Sequence, residues 1–269
     1  MTGRFQHNPL TKTGLAAAIT LLFLLLLPVL ALVLTSSVDA VKAGVSNTLL
    51  MPALTLTLKT SLLSLVIIVV LGTPLAWWLS GPAKPCRTVV STLIQLPIVI
   101  PPAVMGIGLL QAFGRGGLFG PSLTEIGLSI PFTGTAVVIA QVVVSAPFYI
   151  QAATNSFRGV DSDMMLVART LGASPRRAFF LVALPAARPG LVIGAALAWS
   201  RALGEFGATL LFAGNLAGVT QTMPLAIFSA FESDSQLAVV FSLILAALGI
   251  IILSFLLMVT RLRNQTRST

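Results

Sequence analysis

Two opposite charges, Arg201 and Glu205, stand four residues apart inside an otherwise apolar run. Four residues is about one helical turn, the spacing at which such side chains form an ion pair. Glu205 cancels much of the pull that a lone arginine would exert on an anion, so the pair reads as a structural or gating element. Thr209 lies a turn further on, and Asn215, Thr220, Gln221 and Thr222 supply uncharged donors before Pro224. These either line a cavity or belong to an ordinary polar loop. Catalytic chemistry has little to draw on. His7 and Cys86 are the single histidine and the single cysteine, which excludes an intramolecular disulfide and a Cys-rich metal site and leaves a His-dependent catalytic site almost nothing to draw on. No metal site is expected. No Gly-x4-Gly-Lys-Ser/Thr stretch occurs, and no Gly-Lys pair at all, so a phosphate-binding loop for ATP is absent.

The elements that hold these residues are set by composition. Of 269 residues, 56% are hydrophobic and 9% charged, whereas a soluble domain carries roughly 25% charge. The partner of most of this surface is therefore a lipid bilayer. The formal charge of +9 is spread too thinly for a nucleic-acid surface. A crossing helix needs about 20 mostly apolar residues, and six segments qualify, near 14–34, 56–79, 89–112, 133–154, 189–212 and 237–260. The fold class is all-α and polytopic. Arg4, Lys12, Lys84, Arg87, Arg158, Arg169, Arg176, Arg177, Arg188, Arg261, Arg263 and Arg267 share one side, against Lys42, Lys59 and Arg115 on the other. The excess of cations faces the cytoplasm, so both termini are inside. The first run is longer than a signal-peptide core and reads as an uncleaved span. With no low-complexity tract or soluble domain, residues 1–269 form one transmembrane domain.

The third segment contains Pro97, Pro101 and Pro102, which must break or bend its helix; such breaks serve either packing or a transport route. In the fifth segment, Arg201 lies about 16 Å along the helix from Gly190 at the helical rise. That is near the bilayer centre, where an ionisable group must be paired or wetted. Gly204 and Gly207 permit close approach or local unwinding. Two stretches are long enough to fold outside the bilayer, an external one at 35–55 and a basic cytoplasmic loop at 155–188. In that loop, Asp161 or Ser162 caps a helix ending at Leu171, with Gly172 free to be left-handed. Ser174 caps a second helix with Pro175 at its first position, which Pro185 ends. Arg176 and Arg177 beside Phe179 and Phe180 suit either lipid headgroups or a groove on a cytoplasmic protein.

The segment Ala168-Arg-Thr-Leu-Gly172-Ala-Ser174-Pro175, followed by Leu184-Pro185 and Arg188-Pro-Gly190, resembles the coupling loop of binding-protein-dependent ABC importers. That family opens the motif with an acid, where this chain has Met165 and Leu166, Val167 replaces the first alanine, and Asp163 is the nearest carboxylate. The run Arg201-Ala-Leu-Gly-Glu205-Phe-Gly-Ala-Thr209, with Ala213-Gly-Asn215 and Thr220-Gln-Thr-Met-Pro-Leu225 after it, is similar to the sulfate/molybdate branch. Leu96-Pro-Ile-Val-Ile-Pro-Pro102 and Phe113-Gly-Arg-Gly-Gly-Leu-Phe-Gly120 look more like molybdate permeases than sulfate ones.

The resemblance spans about residues 55–256. It implies the fold of a type I importer permease in a bacterial or archaeal plasma membrane, importing a tetrahedral oxyanion by alternating access. Molybdate is the first expectation, with sulfate, thiosulfate or tungstate as alternatives. It implies a second permease copy, two ATPase subunits and an external substrate-binding protein. ATP and Mg²⁺ would reside on the ATPase, with no cofactor on this chain. Ala168, Gly172, Ser174, Pro175, Arg176 and Arg177 would seat that ATPase, and Arg201, Glu205, Thr209, Gln221 and Thr222 would line the pathway or gate. A secondary transporter working without an ATPase would ordinarily show inverted repeats or a chain of intramembrane charges, and neither is present.

Overall fold

The computed structural model describes residues 9–265; Arg4, His7 and Arg267 lie outside them. Helices follow the apolar runs: α1 (Pro9–Thr35), a short α2 (Val38–Val45), α3 (Leu50–Ser80), α4 (Pro85–Val99), α5 (Pro102–Phe113), α6 (Gly120–Glu125) and α7 (Gly134–Arg158). Then come α8 (Ser162–Thr170), α9 (Pro175–Leu203), α10 (Gly207–Ala213), α11 (Met223–Ser233) and α12 (Ser235–Gln265). Among the described residues, α1, α3, α7, α9 and α12 are long and apolar enough to cross a bilayer, and the bent pair α4–α5 is either a broken sixth span or a re-entrant loop.

The core forms around α7, the most enclosed of the crossings, which lies against both α3 and α9. On α3 the buried stripe Ala53, Thr57, Ser61, Ser64, Ile68, Gly72, Ala76 and Leu79 recurs every three or four residues, one helical face. Most are small. In lipid, helices associate by close backbone approach rather than by expelling water, and small residues allow it. A Cβ on Gly72 would fall 2.9 Å from the Tyr149 ring, and one on Gly194 would fall 2.9 Å from Ala152 Cβ. Polar side chains then bond across the seam. Ser64 Oγ donates to Gln141 Oε1 (2.9 Å), Gln141 Nε2 donates to Thr60 Oγ1 (3.3 Å), and Trp199 Nε1 donates to Ser61 Oγ (3.1 Å). Thr57 Oγ1 accepts the Met223 N–H at 2.7 Å and ties α11 to α3.

Several expected boundaries move. The third span does break: α4 and α5 meet at 112°. The break falls at Ile100–Pro101, whereas Pro97 sits within α4 and Pro102 opens α5. The external stretch at 35–55 already holds α2 and the start of α3. The cytoplasmic loop is shorter than 155–188, because α7 continues to Arg158 and α9 begins at Pro175.

Pro185 does not end the second loop helix. Residues Phe179–Ala183 form a wide turn in which the Leu184 N–H reaches back five residues to Phe179 O. This shift of register just ahead of Pro185 absorbs the missing proline donor, a recognised use of a π-turn. The helix therefore runs on unbroken to Leu203. The fifth span is 175–203 rather than 189–212, and α10 is a separate helix.

Candidate functional site

The cytoplasmic loop is built by local capping. Asp161 Oδ1 accepts the Asp163 N–H at 2.8 Å and starts α8. At the far end Ala173 N–H donates to Ala168 O and Gly172 N–H donates to Arg169 O, both at 3.0 Å. This pair of bonds closes a helix through a left-handed residue, and Gly172 supplies it with φ +88°. Ser174 Oγ accepts the Arg177 N–H at 3.3 Å, with Pro175 at the first position of α9. Alanine at Gly172 is strained by roughly 1–2 kcal/mol. Gly172→Ala is expected to raise the trypsin cleavage rate at Arg169 several-fold in the folded protein; unchanged cleavage would show that the turn does not hold the loop.

Arg169, Arg176 and Arg177 are exposed. Around them Leu171 is 83% exposed, Leu181 64% and Leu166 62%. The loop thus presents apolar and cationic surface together, the composition of an interface rather than of a free cytosolic surface. Leu166, standing where the family motif carries an acid, belongs to this apolar patch.

At the other end of α9, Arg201 and Glu205 meet: Nη2 lies 2.7 Å from Oε2. The pair is not inside one helix, as the spacing suggests. α9 ends at Leu203, and Glu205 sits in the break. Arg201 occupies the last turn of α9, not the middle of a continuous crossing, and a cation there also suits the helix dipole. Oε2 makes a charge contact without an aligned hydrogen bond, while Oε1 accepts the Ala208 N–H at 2.8 Å and caps α10. The Glu205 side chain is fully buried and that of Arg201 is 28% exposed. One carboxylate therefore joins the end of α9 to the start of α10.

α10 packs against α5, the second helix of the bent pair. A Cβ on Gly106 would lie 2.8 Å from Ala208 O, and one on Gly207 3.2 Å from the Ala103 nitrogen. The two broken spans thus touch backbone to backbone. Thr209 is buried here with no partner for its hydroxyl. Gln221 Nε2 donates to Asn215 Oδ1 (3.0 Å) and Ser229 Oγ (3.3 Å), so it belongs to a loop network. Thr222 opens α11, and its buried hydroxyl is also unpartnered. Thr209, Arg201 and Glu205 gather at the break, whereas Gln221 and Thr222 belong to the segment that leads into α11.

One group was not singled out from sequence. Gln151, Thr154, Asn155 and Arg158 form a polar stripe at the cytoplasmic end of α7, opposite Ser91 and Gln95 of α4. Their three- and four-residue spacing within apolar runs was the available signal.

Long helical crossings, a broken pair packed at its break, and a capped basic loop define the membrane-spanning subunit of a transport system. Comparison with known families agrees: residues 68–264 match the family described as binding-protein-dependent transport system inner membrane component. The chain belongs to that family. It is 44% identical over 200 residues to the molybdenum transport system permease protein ModB of Mycobacterium tuberculosis, covering 74% of this chain and 76% of that one. To the Escherichia coli protein of the same name it is 35% identical over 217 residues, covering 78% and 95%. The fold is similar to that of a bacterial ABC transporter involved in the import of alginate, with TM-score 0.76, 17% identity and 94% of each chain covered. The chain is thus an inner-membrane transport component, and its work is translocation, not catalysis.

Proposed function

We propose that this chain is the permease of an ATP-driven importer that takes up molybdate. Two copies would form the conduit, two ATPase subunits would dock on the cytoplasmic loops, and an external binding protein would deliver the dianion. The observation behind the substrate is the 44% identity to a molybdenum permease over most of both chains. The geometry supports the mechanism. The exposed arginines and leucines around Ser174 offer a seat for the ATPase, and α9 leads directly from that seat to Arg201 and Glu205. Closure of the ATPase pair on ATP and Mg²⁺ would draw the two seats together and move the far ends of α9. Neutral hydroxyls such as Thr209 and Thr222 would meet the anion without trapping it.

Reconstitution with the ATPase and the binding protein tests this reading. Arg176→Glu combined with Arg177→Glu is expected to leave the permease inserted but to lower molybdate uptake per ATP hydrolysed by about tenfold or more, the scale of two reversed interfacial charges. Coupled uptake at the wild-type ratio would remove the docking assignment. For the substrate, a strain lacking the chain is expected to fail on scarce molybdate and grow normally on scarce sulfate. The opposite growth pattern would move the assignment to sulfate.

A further inference from the structure

Near the cytoplasmic ends of α4 and α7, two polar stripes face each other. On α7, Gln151, Thr154, Asn155 and Arg158 follow the i, i+3, i+4, i+7 spacing that places four side chains on one helical face. On α4, Thr88, Ser91, Thr92 and Gln95 repeat that spacing. Two helices thus interrupt apolar runs with the same pattern, and such polar residues either bond across a helix seam or line a cavity.

Between them lies a cleft of about 100 Å³ lined by Ser91, Gln95, Gln151, Thr154, Asn155 and Arg158. Ser91 and Arg158 also line a neighbouring cavity of about 400 Å³ that includes Arg87 and Thr88. No acidic residue lines either one. Thr154 is 7% exposed, and its hydroxyl has no partner; a buried, unsatisfied hydroxyl needs an explanation. Arg158 donates to the Leu79 carbonyl at 3.4 Å and to no carboxylate, which leaves most of its N–H groups uncommitted. Arg87 donates to the Pro82 carbonyl at 2.7 Å, with its guanidinium 5.4 Å from the centre of the Trp78 ring.

The polar groups of the cleft border a space of about 100 Å³, well above the roughly 10–15 Å³ that admits one water and enough for a small anion with several oxygens. The cleft is lined by one guanidinium, Arg158, and by no carboxylate, with Arg87 standing in the neighbouring cavity, a lining that favours an anion over a cation. We propose that this cleft is a binding subsite for a tetrahedral oxyanion at the cytoplasmic mouth. Arg158 and Thr154 hold it, and the neighbouring amides and hydroxyls complete the shell. The inference rests on the oxyanion reading above. The group arrives either as the free dianion leaving the transporter or as the phosphate of a lipid headgroup, and both present the same oxygens.

The test uses the intact permease–ATPase complex in phosphatidylcholine nanodiscs without the external binding protein, probed with radiolabelled molybdate. Saturable binding is expected. Arg158→Gln should weaken it by at least about tenfold, as loss of one charge-assisted hydrogen bond does, and the near-isosteric Thr154→Val by about threefold or more. Arg188→Gln, an exposed cation that does not line the cleft, should bind as wild type. Discs containing phosphatidylglycerol separate the sources. Molybdate binding that persists there assigns the free dianion; binding that is displaced, with phospholipid retained by wild type and lost from Arg158→Gln, assigns a headgroup. No saturable binding in phosphatidylcholine, or equal binding by wild type and both variants, overturns the subsite. Binding-protein-dependent uptake is scored on the same complex. Uptake without binding in the cleft defeats this inference alone, whereas binding without uptake defeats the proposed function and leaves the subsite standing.

Discussion

Glu205→Ala is expected to unfold at a clearly lower temperature in detergent than the wild type and to lose most of its transport. Two contributions are removed at once. The Ala208 N–H loses its acceptor, and loss of a helix cap costs about 0.5–2 kcal/mol. Arg201 also loses its counter-charge; breaking a buried pair costs roughly 3–5 kcal/mol, discounted here because Arg201 keeps some access to solvent. A combined loss of about 2–4 kcal/mol is a large fraction of a typical folding stability. Glu205→Gln separates the two, since its amide oxygen still accepts the Ala208 N–H while the charge is gone. It should recover roughly 1 kcal/mol of the deficit. Arg201→Ala should be at least as damaging as Glu205→Ala, because it strands a buried carboxylate. Unchanged unfolding and uptake in Glu205→Ala would mean that the carboxylate neither caps α10 nor neutralises Arg201.

The second large effect concerns a single methyl group. In Gly106→Ala the new Cβ would lie 2.8 Å from Ala208 O and 2.9 Å from Ala208 Cα. Both are backbone atoms and cannot turn aside, so α5 must separate from α10. Overpacking of this kind costs about 1–3 kcal/mol, against a gain in helix propensity of up to about 1 kcal/mol. Gly108→Ala is the internal control, lying on the same helix with no atom within 4 Å of the place its methyl would take. It should be neutral or slightly stabilising. Folded yield by size-exclusion chromatography and uptake are expected to fall for Gly106→Ala and hold for Gly108→Ala. Equal behaviour of the two would show that the broken spans do not meet backbone to backbone.

What could be read in the sequence was local chemistry. Asp161, Gly172 and Ser174 each act within a few residues of themselves, so their capping roles were legible from spacing alone. Proline density likewise revealed the break between α4 and α5, and the apolar runs gave the crossings. Pro185 misled because the compensation lies in Phe179–Ala183, a shift of hydrogen-bond register that no residue type announces. Glu205 misled differently. Its four-residue spacing from Arg201 is the same whether or not the helix continues, and the decision was made by packing of α10 on α5, a contact about 100 residues distant along the chain. The facing stripes of α4 and α7 needed the fold to show that they share one cleft.

Because α9 does not stop at Pro185, its 28 residue steps from Pro175 to Leu203 form a single rod roughly 42 Å long at the helical rise. Pivoting that rod by about 5° at its cytosolic foot would sweep its outer tip through roughly 3.7 Å, by the same dimension. That exceeds the width of a water molecule, so under the proposed mechanism a modest rocking at the foot would suffice to open or shut a passage beside Arg201. No relay of intervening loops would be required, because a load at the foot would pass to the outer tip through one piece of backbone.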